Sequence, residues 1–482
     1  MNLPVVQRLV GFLLMLFSVA MLPPMLVALI YADSSILPFL YTMFVTLTVG
    51  AAIWFPQRHN RSDLGLRDGF MIVVLFWTVL SAAGALPFLF ADQPNLSVAS
   101  AFFESMSGLT TTGATVITNL DSLPRAVLFY RQELQWFGGL GIIVLAVAIL
   151  PMLGIGGMQL YKAETPGPIK DSKMTPRITE TAKALWYIYL ALTAACALAY
   201  YLAGMNAFDA ICHAFSTIAI GGFSTHDASL GYFDSNAINL VASLFMLVAG
   251  ANFALHFVAW RKVSLRHYFR DAEFRFYLVI LLCGVVVTAS GLWFSRHYTS
   301  VDSFLNAMFH VISFTTTTGF TTADYGSWPI MLSTMLIIGS FIGGCAGSTA
   351  GGMKVIRILL LFKQGGREVK RLVHPSAQIA VKIGGTVVPQ RVIDSVWGFF
   401  AAYIGIFVVL LLVVMATGLD QVSAFSAVAA CMNNLGPGLG EVLANFASVN
   451  DYAKWLLAGA MLLGRLEIFT LLVLFTPAFW RI

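Results

Sequence analysis

The sequence predicts an all-α integral membrane protein in which four copies of one helical unit stand pseudo-fourfold around a single axis, after an extra N-terminal helix pair. Three observations predict it. Apolar residues make up 58% of the 482-residue chain and charged residues only 11%. Ten stretches stay apolar over the length that crosses a bilayer, about 20 residues. One short pattern ending on a glycine recurs four times, each time between two of those stretches. A soluble chain of this size could not bury so much apolar surface, so its solvent is lipid.

The candidate crossings are 9–31, 36–55, 70–91, 127–153, 185–204, 237–260, 276–294, 329–363, 395–418 and 455–480. The first reads as a retained helix rather than a signal peptide, because it lacks a small-residue cleavage site and continues into "MLPPMLVALIYA". The connections 57–69, 161–183, 261–275 and 364–391 carry most of the 28 Lys and Arg. The alternate connections carry only Arg125, Arg296 and Lys454, beside Asp33, Asp121, Asp227, Asp234, Asp302, Asp324, Glu441 and Asp451. Basic loops stay on the cytoplasmic side, so both termini are expected there. The acidic outer face is expected to attract cations. The units fall at 1–68 for the helix pair and at 69–160, 161–265, 266–375 and 376–482 for the repeats.

Other chemistries find little support. Cys196, Cys212, Cys283, Cys345 and Cys431 lack CxxC spacing, so neither a disulfide framework nor a metal site is indicated. There is no Walker A motif, and "GIGGMQL" at 154–160 lacks the strand–turn–helix setting of a nucleotide fold. No loop is long enough for a soluble domain, so nucleotide sensing must come from another protein.

The recurring pattern reads "ESMSGLTTTGA", "HAFSTIAIGGF", "HVISFTTTTGF" and "AVAACMNNLGP", which aligns Gly113, Gly222, Gly319 and Gly436. A semi-apolar stretch too short to span precedes each glycine and suits a half-helix that enters and turns back. Non-helical backbone at membrane depth is tolerated only inside protein or around a watery cavity. Four such strands suggest a ring of carbonyl oxygens, which can replace the hydration shell of a monovalent cation. The candidate filter residues are Thr111, Thr112 and Gly113; Ile220, Gly221 and Gly222; Thr317, Thr318 and Gly319; and Asn434, Leu435 and Gly436. Glycine supplies backbone angles closed to other residues, threonine hydroxyls can add oxygens, and half-helix C-termini add negative dipole. The plainer reading, small residues packing membrane helices, accounts for one copy better than for four in matching positions. The fourth copy departs from the pattern, with asparagines for threonines and Pro437 after the glycine. Glu104, His213 and His310 share one repeat position and are expected to pin the half-helices by hydrogen bonds.

The stretch 329–363 is too long for one crossing, and its centre reads "GGCAGSTAGGMK". Glycine costs about 1 kcal/mol in a helix interior relative to alanine, so an unwound loop is expected there. Its residues, Gly343, Gly344, Cys345, Ala346, Gly347, Ser348, Thr349, Ala350, Gly351 and Gly352, form a candidate gate. Lys354 follows as either an anchor or an inner-face charge. Arg465 lies mid-span, where an arginine usually faces a cavity or a partner. The loop carbonyls are the expected partners, because Glu467, two residues on, faces another side of the helix.

These features together resemble the Trk/Ktr/HKT potassium transporters over nearly the whole chain: four helix–pore-helix–helix repeats, one strand glycine in each, the broken helix in the third and the arginine in the last. The resemblance implies K⁺ uptake across a bacterial inner membrane, with Rb⁺ also accepted. It implies a homodimer with one pore per subunit, and a cytosolic nucleotide-binding ring (TrkA-type) that regulates the gate. In this family a serine at the first filter position accompanies Na⁺ transport, and here Gly113 stands there. No nucleic acid, no enzymatic activity and no nucleotide bound to this chain is expected.

Two alternatives make different demands. A secondary transporter coupling K⁺ or another solute to H⁺ or Na⁺ predicts inverted repeats with paired broken helices, whereas these four repeats share one orientation and one glycine-rich break is legible. A protease using Ser348 needs a histidine base within reach, and His213 and His256 lie in another repeat while His310 stands on the filter side of its own.

Overall fold

The computed structural model describes residues 2–60, 65–144 and 178–481. The chain begins with α1 (Leu3–Val19) and α2 (Leu22–Tyr31), one crossing interrupted just before Pro23 and Pro24, and returns through α3 (Ile36–Trp54). α1 and α3 cross in near backbone contact. A Cβ added at Gly11 would stand 2.7 Å from the Gly50 carbonyl oxygen, and one at Gly50 would stand 2.8 Å from that of Gly11. Small residues permit this close approach, which replaces the hydrophobic drive that lipid removes.

The repeats follow. The first has α4 (Leu66–Phe90), the half-helix α5 (Val98–Leu109) and α6 (Arg125–Val144). The second has α7 (Ile178–Leu202), the half-helix α8 (Ala207–Ala219), α9 (Asn236–Ala249) and α10 (Phe253–Lys262), then a short α11 (Arg266–Arg270). The third has α12 (Ala272–Phe294), the half-helix α13 (Ser300–Thr315), α14 (Ile330–Ile342) and α15 (Val355–Val373). A small antiparallel hairpin, β1 (Lys382–Ile383) and β2 (Thr386–Val387), leads to the fourth. That repeat has α16 (Gln390–Ala416), the half-helix α17 (Gln421–Met432), α18 (Asp451–Arg465), α19 (Phe469–Leu472) and α20 (Pro477–Trp480).

Each half-helix starts on a residue whose side chain accepts from the first turn: Ser97, Asn206, Thr299 and Asp420. These are the strong N-capping residue types, so the half-helix starts are written into the sequence. The peripheral crossings α3, α12 and α16 leave Phe44, Leu282 and Leu412 exposed, as helices facing lipid do. Among the described residues six helices are long and apolar enough to cross a membrane, and eight if each sharply bent pair counts once. The chain is a multi-pass membrane protein.

Two expected straight crossings are bent. The 237–260 stretch turns by 94° between α9 and α10, and 455–480 turns by 106° after α18. At the first bend Asn252 caps α10 by accepting from the Ala254 N–H at 2.8 Å. At the second, Glu467 and Ile468 adopt left-handed angles, φ 52° and 61°. The 329–363 stretch breaks between α14 and α15. The 127–153 stretch is helical to Val144, and its remainder and the "GIGGMQL" cluster lie outside the described residues.

Gly11→Ala is expected to lower the thermal midpoint in detergent, because the added carbon would sit 2.6 Å from the Trp54 backbone nitrogen. Overpacking of this kind costs about 1–3 kcal/mol; an unchanged midpoint would show that α1 and α3 can part without loss.

Candidate functional site

The four half-helices end identically. Thr111, Ile220, Thr317 and Asn434 each take a left-handed conformation, φ 53°, 55°, 65° and 55°. The next amide reaches back to the carbonyl five residues earlier at 2.8 Å in every copy: Thr112 to Ser107, Gly221 to Ser216, Thr318 to Ser313 and Leu435 to Ala430. This 6→1 bond closes the helix in a Schellman motif, a role usually filled by glycine. Threonine and isoleucine are poor residues for it, and strain repeated at equivalent positions marks a conformation the architecture requires. Two residues on, Gly113, Gly222, Gly319 and Gly436 also have positive φ, from 78° to 96°.

The strands close into a ring. A Cβ on Gly113 would stand 2.1 Å from the Gly221 oxygen, one on Gly222 2.0 Å from that of Thr318, and one on Gly319 2.0 Å from that of Leu435. One on Gly436 would return to the Thr112 oxygen at 2.8 Å. The order is head-to-tail, first to second to third to fourth to first, which only a rotational arrangement produces. Inverted repeats would not generate it.

The strands are braced from behind. The hydroxyls of Thr110 and Thr112 meet at 2.8 Å, as do those of Thr316 and Thr318. Asn434 Nδ2 donates to Thr112 Oγ1 at 2.9 Å, tying the fourth strand to the first. Glu104, His213 and His310 each link their half-helix to the segment after the ring. Glu104 accepts from Val116 N–H at 2.9 Å and from Thr115, His213 Nε2 meets Ser224 Oγ at 2.9 Å, and His310 Nε2 accepts from Thr322 N–H at 3.4 Å. In the fourth repeat Ser426 Oγ accepts from Leu439 N–H at 2.8 Å. Sequence reasoning missed two further partners, both on α6. Arg131 joins Glu104 at 2.9 Å and donates to the Ser224 carbonyl at 3.0 Å. Gln135 donates to the Gly221 carbonyl at 2.6 Å and accepts from Phe223 N–H at 3.1 Å. A charged run "RQE" within an apolar span was the available signal.

A cavity of about 520 Å³ opens on one side of the ring, lined by all four glycines and by Asp227, Asp324, Arg131 and His226. On the other side lies the Gly343–Gly352 loop. Its Gly351 N–H donates to Thr317 Oγ1 at 2.7 Å and its Gly352 N–H to the Asn433 carbonyl at 3.0 Å. Thr349 Oγ1 donates to the Ile218 carbonyl at 3.0 Å. Arg465 reaches Thr111 Oγ1 and the Thr349 carbonyl at 3.2 Å each, and the Gly138 carbonyl at 2.8 Å. The loop and Arg465 therefore touch the first and third strands and the ends of the second and fourth half-helices. Lys354 is buried, and its Nζ donates to the Ala350 carbonyl, which makes it an anchor rather than a surface charge. Glu467 pairs with Arg357 at the start of α15.

Parallel repeats with re-entrant half-helices, closed head-to-tail around one axis, define a pore-loop membrane protein. The TrkH family model, described as a cation transport protein, matches residues 36–482. The chain is 64% identical to the Trk system potassium uptake protein TrkH of Vibrio parahaemolyticus over 477 residues, 98% of each chain. It is 58% identical to the TrkH of Escherichia coli K12 over the full length of both, and 46% identical to that bacterium's TrkG. The crystal structure of the potassium transporter TrkH from Vibrio parahaemolyticus superposes with a TM-score of 0.91 over all of both chains, at 60% identity. The chain belongs to the TrkH family of cation transport proteins.

His226 bridges the outer segments of two repeats. Its Nδ1 meets Asp121, its Nε2 lies 3.3 Å from Asp209 Oδ2, and its ring stacks on Tyr232 at 3.5 Å. Burial lowers its pKa, but the bonds to Asp209 and Asp121 outweigh this and hold it above the ordinary 6.5. A raised folded-state pKa stabilises fully below the unfolded value and is lost as pH rises through the folded one. The thermal midpoint of the parent should therefore exceed that of His226→Gln most below pH 6.5, with the gap closing as pH rises above it. A gap that widens with pH would reverse the assignment.

Proposed function

We propose that this chain takes up potassium ions across a bacterial inner membrane through a filter formed by the four strands, gated by the Gly343–Gly352 loop. The observation that carries the reading is the closed ring of four positive-φ glycines, each set against the carbonyl of the next repeat. Carbonyl rings select among monovalent cations by replacing their hydration shells, and the four half-helices direct their negative ends at the same place. The relatives are named potassium uptake proteins, which supports K⁺ as the ion, with Rb⁺ as its congener. The filter residues are Thr111–Gly113, Ile220–Gly222, Thr317–Gly319 and Asn434–Gly436. Both termini are cytoplasmic, the protein is a homodimer, and a cytosolic nucleotide-binding ring of the TrkA type acts on the loop; the relatives' Trk system naming supports a multi-component assembly. The chain is a transporter, not an enzyme.

The filter is tested by Gly113→Ser and by Gly222→Ala, Gly319→Ala and Gly436→Ala. An added side chain must displace a neighbouring carbonyl, so the K⁺/Na⁺ permeability ratio should fall at least about tenfold, a change worth about 1.4 kcal/mol. Reversal potentials under bi-ionic conditions measure it, and four unchanged ratios would remove the ring from the filter.

The gate is tested at Arg465. A unit positive charge about 4 Å from a cation opposes it by about 4 kcal/mol at an effective dielectric of about 20, and the same guanidinium holds Thr349. Arg465→Ala should raise basal Rb⁺ uptake at least about tenfold, and Arg465→Lys should raise it less, because lysine keeps the charge without the planar fork. Lys354→Ala should also raise it, through loss of the Ala350 anchor. Loss of a donor from buried carbonyls costs about 1–3 kcal/mol, so uptake is compared per folded protein. Arg465→Ala no faster than the parent would make the arginine a packing residue.

A further inference from the structure

We propose that Gln135 is a positioning residue that sets ion selectivity by holding the second filter strand, in place of a side chain which that strand lacks. The inference rests on the filter reading above and goes beyond it.

The residue before the ring glycine is Thr112 in the first strand, Thr318 in the third and Leu435 in the fourth, all buried. In the first and third strands its hydroxyl meets that of the threonine two residues earlier, which locks the strand to its own half-helix. In the fourth strand Leu435 is enclosed, and Asn434 bonds to Thr112 and to the Met461 carbonyl. The second strand reads Ala219, Ile220, Gly221, Gly222. It has no hydroxyl and no side chain at the position before its glycine, so no side-chain bond of its own stiffens it. Gly221 is not forced by backbone angle, because it is absent from the positive-φ residues that include Ile220 and Gly222. It is forced by space. A Cβ there would lie 2.3 Å from Gln135 Cδ and 2.4 Å from its Oε1.

Gln135 fills that place from α6 of the preceding repeat. Its two bonds bracket Gly222, one to the carbonyl before it and one from the amide after it. A primary amide is the side chain suited to both tasks, since it carries a donor and an acceptor side by side. Ionised glutamate could not donate, and leucine or methionine offers no comparable donor and acceptor pair. The Gly221 carbonyl is also the one against which Gly113 closes the ring. Loosening it disturbs the contact of the first strand as well as the second strand itself. A carbonyl ring discriminates by the spacing and number of its oxygens, so the consequence falls on selectivity rather than on folding alone.

The test is a side-chain exchange in the full-length protein reconstituted in liposomes, read as the K⁺/Na⁺ permeability ratio at equal folded amounts. Gln135→Met keeps the bulk and removes both bonds, and its ratio should fall about tenfold. Gly221→Ser alone should also fall, because the new side chain meets Gln135. The variant Gln135→Ala/Ala219→Ser/Gly221→Ser gives the second strand the hydroxyl pair that strands one and three have, and should recover most of the ratio lost by Gln135→Ala. A structural role alone would lower the thermal midpoint without this recovery of selectivity. Parental selectivity in Gln135→Met, or a triple variant no more selective than Gln135→Ala, overturns the proposal when Gly222→Ala measured alongside has lost selectivity. If Gly222→Ala keeps its selectivity too, the filter reading itself has failed and the proposal falls with it.

Discussion

Unwound backbone inside a membrane must find every hydrogen-bond partner within the protein, and the centre of this molecule is arranged around that constraint. Among the described residues three inner helices break at membrane depth, and the breaks satisfy one another. Cys345 N–H donates to the Gly250 carbonyl and Phe253 N–H to the Gly347 carbonyl, which joins the bend of the second repeat to the loop of the third. Glu273 accepts from Ala346 N–H and Ile356 N–H, tying the first half of that loop to the start of α15. Arg465 and Glu467, on either side of the bend in the fourth repeat, bind Thr349 and Arg357 respectively. The loop is therefore one part of an interlocked set. Its displacement would leave donors and acceptors bare in all three repeats, at about 1–3 kcal/mol for each buried group, unless water follows it.

Pseudo-symmetry lives in the backbone and asymmetry in the side chains. The same left-handed residue, the same 6→1 bond and the same glycine recur four times. Each quarter is held differently: by Glu104 with Arg131 in the first, by His213 in the second, by His310 in the third and by Ser426 in the fourth. A single chain makes this possible, because each repeat can specialise while the ring stays closed. The loop occurs in one repeat and the arginine in another, so an assembly of this form could not be built from four identical subunits.

Composition and the recurring glycine made the membrane architecture and the ring residues legible in the sequence. The half-helix starts were also there to be read, in Ser97, Asn206, Thr299 and Asp420. The glycine-rich loop announced itself because helix propensity collapses over ten small residues. The other two bends did not. Gly250 and Asn252 are a modest stop and a cap, easily absorbed into an apolar run, and Leu466–Ile468 has neither glycine nor proline. There the tertiary contacts of Arg465 and Glu467 accompany left-handed angles that local sequence disfavours. Gln135 and Arg131 were hidden for a related reason, since their partners lie about ninety residues away in the next repeat.

The threonines illustrate why residue type predicts location better than role. Hydroxyls near a candidate filter invite assignment as ion ligands. Thr112 and Thr318 bond to their own strand neighbours, Thr111 accepts from Arg465 and Thr317 accepts from the loop. Each hydroxyl thus has protein work in this conformation: two stiffen the strands, and two connect the ring to the segment beneath it. The second pair gives the loop a direct mechanical contact with the strands. Any movement that frees Gly351 and Arg465 also frees the Thr317 and Thr111 hydroxyls at the base of the ring. On the proposed reading, the ring that binds cations and the loop that blocks them share two oxygens, and linkage makes the effect reciprocal. Whatever stabilises those oxygens facing an ion weakens the loop's hold, and whatever seats the loop withdraws them.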